Sequence, residues 1–205
     1  MPDISRAMQA GIRIVVALPA EAKPINHQLG LVRDNKADAF PLYRNDNIAL
    51  VLCSPGKQAA AEATRWLAGY LPSAENTLWL NIGIAGHPTR ELGEALLAGS
   101  VSDGYQGATL QTVPPGGFHC PTAPLVTLSE PGFDYSRACL LDMEGFGFFS
   151  TAVDFAPPER VQCLKIVSDN RKNSATQISA KMVRDLMQQN LDTVQQLIEA
   201  LGGRA

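Results

Sequence analysis

The chain has 205 residues, of which 45% are hydrophobic and 18% charged, which is enough apolar material for the core of one compact domain. Its 17 Lys and Arg residues against 20 Asp and Glu residues give a formal net charge of -3. A global basic field to hold a phosphate backbone is therefore missing, which argues against nucleic-acid binding as the main function. The longest strongly apolar runs, residues 14–19 and 48–53, are far shorter than the roughly 20 residues of a membrane-spanning helix.

The cysteines and histidines give no sign of a metal centre. The four cysteines are scattered without a C-x-x-C pair, and the three histidines are equally isolated. The first eleven residues lack the basic-then-apolar order of a secretory signal, so we expect a cytoplasmic protein with reduced thiols. We also expect no metal ion and no other cofactor.

In the first half of the chain, short apolar runs alternate with helical segments. Strands are predicted over residues 12–17, 42–44, 48–53 and 77–82, and helices over 20–29 and 57–71. The first helix requires Pro24 to lie in its first turn, where a missing N–H is tolerated. The strand at 77–82 ends in Gly83-Ile84-Ala85-Gly86, small residues that let a backbone approach a ligand closely.

The second half of the chain is more heavily punctuated by Pro and Gly, and we expect loops and edge strands between residues 87 and 137. Strands are predicted over 97–102, 109–113, 125–128, 139–143 and 161–168, a helix over 144–153, and one long C-terminal helix over 176–201. Phe148 and Phe149 are expected in the core. Together the elements predict one α/β domain over residues 1–205, with a central mixed, largely parallel sheet flanked by helices.

Carboxylates follow three of the predicted buried strands. Glu21 follows the first, Asp142-Met143-Glu144 ends a late one, and Ser168-Asp169 ends the last. Each one alone is more typical of a helix N-terminus. In an α/β sheet, however, the carboxyl ends of the strands are where ligands bind, and buried carboxylates that converge there indicate an active site.

Four blocks, at residues 14–22, 81–86, 141–145 and 166–169, carry the sequences IVVALPAEA, NIGIAG, LDMEG and IVSD. In order and rough spacing they resemble the conserved blocks of the purine nucleoside phosphorylase and methylthioadenosine/adenosylhomocysteine nucleosidase superfamily. The resemblance covers both ends of the chain well and the middle poorly. It implies a nucleoside phosphorylase-like fold and cleavage of the N-glycosidic bond between a purine and ribose.

The resemblance also implies a role for each residue of the blocks. Asp169 would donate a proton to N7 of the leaving purine, with Ser168 orienting it. Glu144 would bind the ribose hydroxyls beside the developing oxocarbenium ion, with Met143 packed beneath the sugar. Glu21 would position and deprotonate the attacking water.

Ile84, Ala85 and Gly86 would contact the substrate, and Phe133 lies near the place expected for a purine-stacking aromatic residue. Ile84 departs from the family, which commonly has a small hydroxyl residue there that contacts water or phosphate. Arginines at the phosphate-binding positions of the phosphorylases are not evident either. Without such a cationic fork phosphate has little to bind, so the sequence favours hydrolysis over phosphorolysis.

We therefore expect a nucleosidase that hydrolyses a purine nucleoside, with an adenine-type base, and that forms a homodimer. Two alternatives stay open. One is a phosphorolytic enzyme. The other is a degenerate member of the superfamily that binds a nucleoside without turnover, which is favoured by Ile84 and by a middle segment, residues 87–137, that is shorter than the family's. The enzyme hypothesis requires Glu21, Glu144 and Asp169 to converge on one pocket.

Overall fold

The computed structural model describes residues 11–71, 76–131 and 135–202, and Phe133 lies outside this part of the chain. The strands are β1 (Ile12–Val16), β2 (Val32–Arg33), β3 (Leu42–Arg44), β4 (Ile48–Leu52), β5 (Leu78–Gly86), β6 (Ala95–Asp103), β7 (Thr109–Gln111), β8 (Thr122–Thr127), β9 (Leu140–Asp142) and β10 (Val161–Asp169). The helices are α1 (Pro19–Gln28), α2 (Lys57–Tyr70), α3 (Gly145–Ala152), α4 (Ala180–Gln189) and α5 (Leu191–Ala200). The predicted α/β fold with a mixed central sheet is confirmed.

The sheet has a closed part and an open part. Strands β5, β10, β6, β8 and β9 pair in a ring, because β5 lies next to both β10 and β9. From β5 the sheet continues outward through β1, β4, β3 and β2. Strands β4, β1, β5 and β10 run parallel to one another. Their carboxyl ends therefore meet at one edge of the sheet.

Helices cover the sheet on both faces. Alternate residues of β1 belong to different core clusters, Val15 to one and Ile14 to the other. The cluster of Val15 includes Phe148 and Phe149 from α3, as expected, and it also takes up the apolar face of α2. The cluster of Ile14 takes up the apolar faces of α1, α4 and α5. No helix of the described residues is long and apolar enough to cross a membrane.

Two predictions about the helices are wrong. Helix α1 begins at Pro19, so Pro24 lies in its second turn, inside the helix. Pro24 is buried, and its neighbours Ala22 and Ile25 pack in the core, so packing offsets the backbone hydrogen bond that proline cannot make. The predicted C-terminal helix is two helices, separated at Asn190.

Asn190 ends α4 through its side chain. Its Nδ2 donates to the carbonyl of Leu186, at 2.9 Å, and to the carbonyl of Gly93, at 3.0 Å. The amide thereby satisfies a carbonyl of the last turn of α4 and ties the break to the segment before β6. The apolar spacing continues across the break, which is why the periodicity alone predicts one helix.

Candidate active site

A cavity of about 340 Å³ opens at the carboxyl edge of the parallel strands. Glu21 reaches it from the first turn of α1, Glu144 from the N-cap of α3, and Asp169 from the last position of β10. The cavity is also lined by the predicted site residues Met143, Ser168, Ile84, Ala85 and Gly86. The structure thus brings together every predicted site residue except Phe133, which lies outside the described residues.

Apart from Asp142, the remaining wall of the cavity is apolar. It is formed by side chains from the ends of β1 and β9 and from the loops around them, among them Leu18, Pro55, Leu128, Leu141 and Ile178. Within the described part of the chain, no Lys, Arg or His lines this cavity. An apolar cavity with a few convergent carboxyl groups is typical of a small-molecule site.

Glu21 is almost fully buried and is held by backbone donors. The N–H groups of Ala17 and Leu18 donate to its Oε2, at 3.2 and 2.9 Å, and the N–H of Ile84 donates to its Oε1, at 2.9 Å. Burial raises the pKa of Glu21, and this effect exceeds the opposite effect of the N–H donors. Glu21 is therefore a fixed carboxyl group with a stronger affinity for protons than an exposed glutamate.

The backbone around Ile84 belongs to β5. The sequence predicts that this strand ends at residue 82, but pairing with β10 extends it to Gly86, which lies opposite Asp169. A Cβ atom on Gly86 would lie 2.6 Å from Oδ2 of Asp169, so any larger residue there would displace the Asp169 carboxyl group. The glycine allows the strand backbone and the Asp169 carboxyl group to approach closely.

Glu144 is 8% exposed and accepts a hydrogen bond from the N–H of Gly56, at 2.9 Å. Gly56 precedes α2 with φ at 123°, a conformation that favours glycine. Burial raises the pKa of Glu144 to about 7, and the nearby charge of Asp142 adds to the shift. Near neutral pH, Glu144 therefore exists in both its protonated and its ionised form.

Beneath Glu144 lies a buried ion pair that the sequence analysis did not identify. The Nζ of Lys165 lies 2.8 Å from Oδ2 of Asp142, and the Lys165 side chain is 1% exposed. Asp142 also accepts hydrogen bonds from the Thr127 hydroxyl, at 2.7 Å, and from the N–H of Gly145, at 2.8 Å. Burial lowers the pKa of Lys165, but the charges of Asp142 and Glu144 together raise it above its usual value. A lysine within the apolar strand β10 was the available signal for this pair.

Two hydroxyl groups hold the carboxyl group of Asp169. Ser168 Oγ donates to Oδ1, at 2.6 Å, and the Tyr135 hydroxyl donates to Oδ2. Arg171 donates in turn to the carbonyl of Tyr135. Burial, together with the hydrogen bond to Asp169, raises the pKa of Tyr135, so its hydroxyl keeps its proton. Sequence reasoning missed Tyr135, because it lies in a loop far from Asp169 along the chain.

Comparison with solved structures places this fold in a known class. It is the α/β fold of 5'-methylthioadenosine nucleosidases and of futalosine hydrolase. No protein-family model matches the sequence, and no curated protein does.

Among the similar structures is a mutant nucleosidase from Helicobacter pylori with 5'-methylthioadenosine in its active site, at a TM-score of 0.78 and 13% identity. Futalosine hydrolase from the same organism matches at 0.77 and 14%, and in both cases the match covers 94% of this chain and 99% of the other. Arabidopsis thaliana 5'-methylthioadenosine nucleosidase matches at 0.75 and 18%, over 96% of this chain and 98% of its own.

Proposed function

We propose that this protein hydrolyses the N-glycosidic bond of a purine nucleoside. The observation that carries the proposal is the convergence of Glu21, Glu144 and Asp169 on one cavity of about 340 Å³. Its volume is within the range of small-molecule sites. The similar structures include one with a nucleoside in its active site, which supports the same class of substrate.

Asp169 activates the leaving group. In its protonated form it donates a proton to N7 of the purine while the bond between C1' and N9 breaks and its electron pair moves into the base. Ser168 and Tyr135 each hold one oxygen of the Asp169 carboxyl group, which fixes its orientation. Fixed orientation is needed because proton transfer requires hydrogen-bond reach of the acceptor atom.

Glu144 stabilises the sugar as it becomes cationic. Its carboxylate accepts hydrogen bonds from the ribose hydroxyls and places a negative charge near the oxocarbenium ion. Met143 packs beneath the ring. The charge of Lys165 favours the ionised form of Glu144, which opposes the effect of burial. Lys165, in the buried ion pair below the site, thereby helps to keep a fraction of Glu144 ionised near neutral pH.

Glu21 supplies the nucleophile. It takes a proton from a water molecule while the water oxygen forms a bond to C1', so the products are the free base and the free sugar. A base works best when its pKa lies near the working pH, and burial moves the pKa of Glu21 in that direction. The proton on Glu21 then returns to solvent, and Asp169 takes one up for the next turnover.

The lining of the cavity favours water over phosphate as the nucleophile. The described residues that line it include no cationic side chain, and Lys165 is buried against Asp142. At the position of a small hydroxyl residue in the family, Ile84 presents an aliphatic side chain. Phosphate would therefore have to enter a cavity lined by carboxylates without a cationic partner, which is unfavourable.

Product analysis with and without phosphate tests the proposal. We expect wild type to release purine in phosphate-free buffer with free sugar as the second product, and added phosphate to leave the rate unchanged. Glu21→Gln is expected to lose activity, whereas Glu62→Gln, an exposed carboxylate on α2, serves as the matched control. Formation of sugar phosphate would establish a phosphorylase instead. Binding of nucleosides without any release of base would establish a degenerate member that only binds.

The adenine-type base and the homodimer are further parts of this proposal, and both rest on the resemblance. A comparison of adenosine with inosine as substrates tests the base. Sedimentation equilibrium tests the homodimer, since a monomer mass at micromolar concentration would contradict it.

A further inference from the structure

His87 directly follows β5 and lies beside the end of β10, next to the candidate active site. The residue is buried, at 4% exposure, and its backbone N–H donates to the carbonyl of Asp169, at 3.0 Å. It is not among the described residues that line the active-site cavity. Any effect of His87 on the reaction therefore acts through Asp169 and the backbone around it.

The imidazole of His87 closes a turn over residues 87–90, which we call the His87 turn. Its Nδ1 accepts hydrogen bonds from the backbone N–H groups of Thr89, at 3.3 Å, and of Arg90, at 3.2 Å. A ring nitrogen that accepts a hydrogen bond carries no proton, so this imidazole is neutral and its proton is on Nε2. The imidazole thereby satisfies two backbone donors and fixes the path of the turn.

A second turn, over residues 170–173, contacts the His87 turn. The Oδ1 of Asn170 accepts from the backbone N–H groups two and three positions further along the chain, both at 3.0 Å. Its Nδ2 donates to the carbonyl of Arg90, at 2.8 Å, which joins the two turns. The backbone of Asp169 is therefore held at its own carbonyl by His87 and at the next residue by the joined turns.

Asparagine makes the same pattern of hydrogen bonds in two other turns of this chain. The Oδ1 of Asn45 accepts from the N–H groups of Asn47, at 2.9 Å, and of Ile48, at 2.8 Å, just as Asn170 does in its own turn. An amide oxygen accepts hydrogen bonds at any ordinary pH, whereas an imidazole loses its acceptor when Nδ1 is protonated. Histidine at position 87 thus makes its turn sensitive to pH, unlike the two asparagine turns.

The charged groups around the His87 turn are Arg90 and Glu94 on its own segment, and Asp169 and Arg171 on the segment that it contacts. Arg90 and Glu94 form an ion pair, at 2.8 Å. Burial lowers the pKa of His87, the charge of Arg90 adds to this effect, and the charge of Glu94 opposes it. The stabilising contribution of the neutral imidazole is therefore complete above the usual pKa of 6.5, and it is lost as the pH falls through the lower pKa of the folded protein.

Resting on the proposed function, we propose that His87 is a positioning residue for Asp169, whose neutral imidazole holds the His87 turn and through it the backbone that carries the general acid. Asp169 must keep its carboxyl group within hydrogen-bond reach of N7 of the purine, and a small displacement costs a large part of the rate. Protonated His87 has no acceptor for the N–H groups of Thr89 and Arg90, so the turn loosens and Asp169 loses its fixed position. Acid thus lowers activity through a group that does not touch the substrate.

Two substitutions of His87 test this role at pH 7.5. His87→Ala removes the acceptor, so kcat should fall about tenfold while KM changes little, because proton donation is impaired and binding of the ribose at Glu144 is kept. His87→Asn supplies an amide oxygen in the pattern of Asn45 and Asn170, and it should restore kcat. An alanine variant with the kcat of wild type, or an asparagine variant as slow as the alanine variant, would overturn the proposal.

The pH profile separates positioning from structural support alone. Dividing kcat of wild type by kcat of His87→Asn cancels the ionisation of Glu144 and Asp169, which the two proteins share. We expect a ratio of about one at pH 7.5 and a fall of about tenfold by pH 5, as His87 of wild type becomes protonated. His119→Asn replaces an exposed histidine and should follow wild type at every pH. A ratio that stays constant over this range would overturn the proposal, even if the alanine variant fails to fold.

If wild type releases no base, the proposed function has failed, and NMR of the imidazole nitrogens still decides the inference. His27 and His119 are exposed and serve as internal references. We expect His87 to carry its proton on Nε2 and to titrate below both references, with the amide hydrogens of Thr89 and Arg90 losing protection from exchange as it does so. A His87 that carries its proton on Nδ1, or that titrates together with the exposed histidines, would contradict the inference.

Discussion

Asp142 and Glu144 lie two positions apart in the sequence and line the same cavity, but their surroundings differ. Asp142 is paired with Lys165 and accepts two further hydrogen bonds, from Thr127 and Gly145. Glu144 accepts a hydrogen bond from Gly56 and has a pKa raised to about 7. The comparison separates a carboxylate whose charge is satisfied by the protein from one whose charge is left partly unsatisfied.

The difference teaches how one cavity holds both kinds of group. A buried carboxylate without a full set of partners costs stability, so its presence at a cavity wall indicates that a ligand completes the set. The ion pair of Asp142 and Lys165 stabilises the structure around the site, whereas the carboxyl group of Glu144 is available to bind substrate. Three predictions test this division and a fourth tests how Asp169 is held, in order of decreasing effect.

Lys165→Met is expected to give the largest effect, on stability. It leaves the buried charge of Asp142 without its partner, which costs about 3–5 kcal/mol of unfolding free energy. Urea denaturation measures the loss. Adding Asp142→Asn removes the unpaired charge and should restore most of the stability. A double variant no more stable than the single one would contradict the role given to the Asp142–Lys165 pair.

Glu144→Gln is expected to separate stability from activity. The glutamine keeps an oxygen for the Gly56 N–H but lacks the charge that stabilises the oxocarbenium ion, so kcat should fall by about a thousandfold, or about 4 kcal/mol. At pH 8 the variant should be more stable than wild type, because an ionised buried carboxylate has been removed. A loss of stability at pH 8 would mean that Glu144 is a structural residue like Asp142.

The pH dependence of stability and of kcat/KM should report the ionisation of Glu144. Because the pKa of Glu144 in the folded protein, about 7, lies above the 4.5 of an unperturbed glutamate, the folded protein binds more protons than the unfolded chain between these values. Stability should therefore fall as pH rises through this window, while kcat/KM rises as Glu144 ionises. Glu144→Gln should flatten this fall in stability, and an unchanged slope would contradict the assignment.

Tyr135→Phe is expected to have the smallest effect. It removes one of the two hydroxyl groups that hold Asp169, so kcat should fall about tenfold while KM changes little, a loss of about 1.4 kcal/mol of transition-state stabilisation. Steady-state kinetics at saturating and limiting substrate separate the two constants. An increase in kcat would mean that Tyr135 competes with the substrate for Asp169 rather than orienting it.

Much of the fold follows from local patterns in the sequence. Strand β1 is a short β-branched run, β10 is a longer buried run, and the amphipathic spacing of α2 predicts a helix. The closure of five strands into a ring depends on pairing between distant segments, which no local pattern carries. The break at Asn190 depends on a hydrogen bond to Gly93, a residue 97 positions away.

The candidate site divides in the same way. Glu21 and Asp169 were predictable because each follows a buried strand of the parallel set, whose carboxyl ends meet at one edge. Glu144 follows β9, which pairs antiparallel with β5 and meets it at Gly86, so its place at the same edge depends on this pairing. Lys165 and Tyr135 were not predictable, since their importance comes from Asp142 and Asp169, which they meet only in the folded chain. Sequence patterns locate the carboxyl groups at strand ends. The partners that pair with these carboxyl groups or hydrogen-bond to them are set by tertiary contacts.

The most direct test of the account measures release of adenine from 5'-methylthioadenosine in phosphate-free buffer. Wild type should release adenine, and Asp169→Asn should lower kcat by about a thousandfold, because proton donation to the leaving base contributes on the order of 10²–10⁴-fold. Asp185→Asn, an exposed aspartate on α4, should match wild type. Undiminished release by Asp169→Asn, or none by a wild type that binds the nucleoside, would contradict the account.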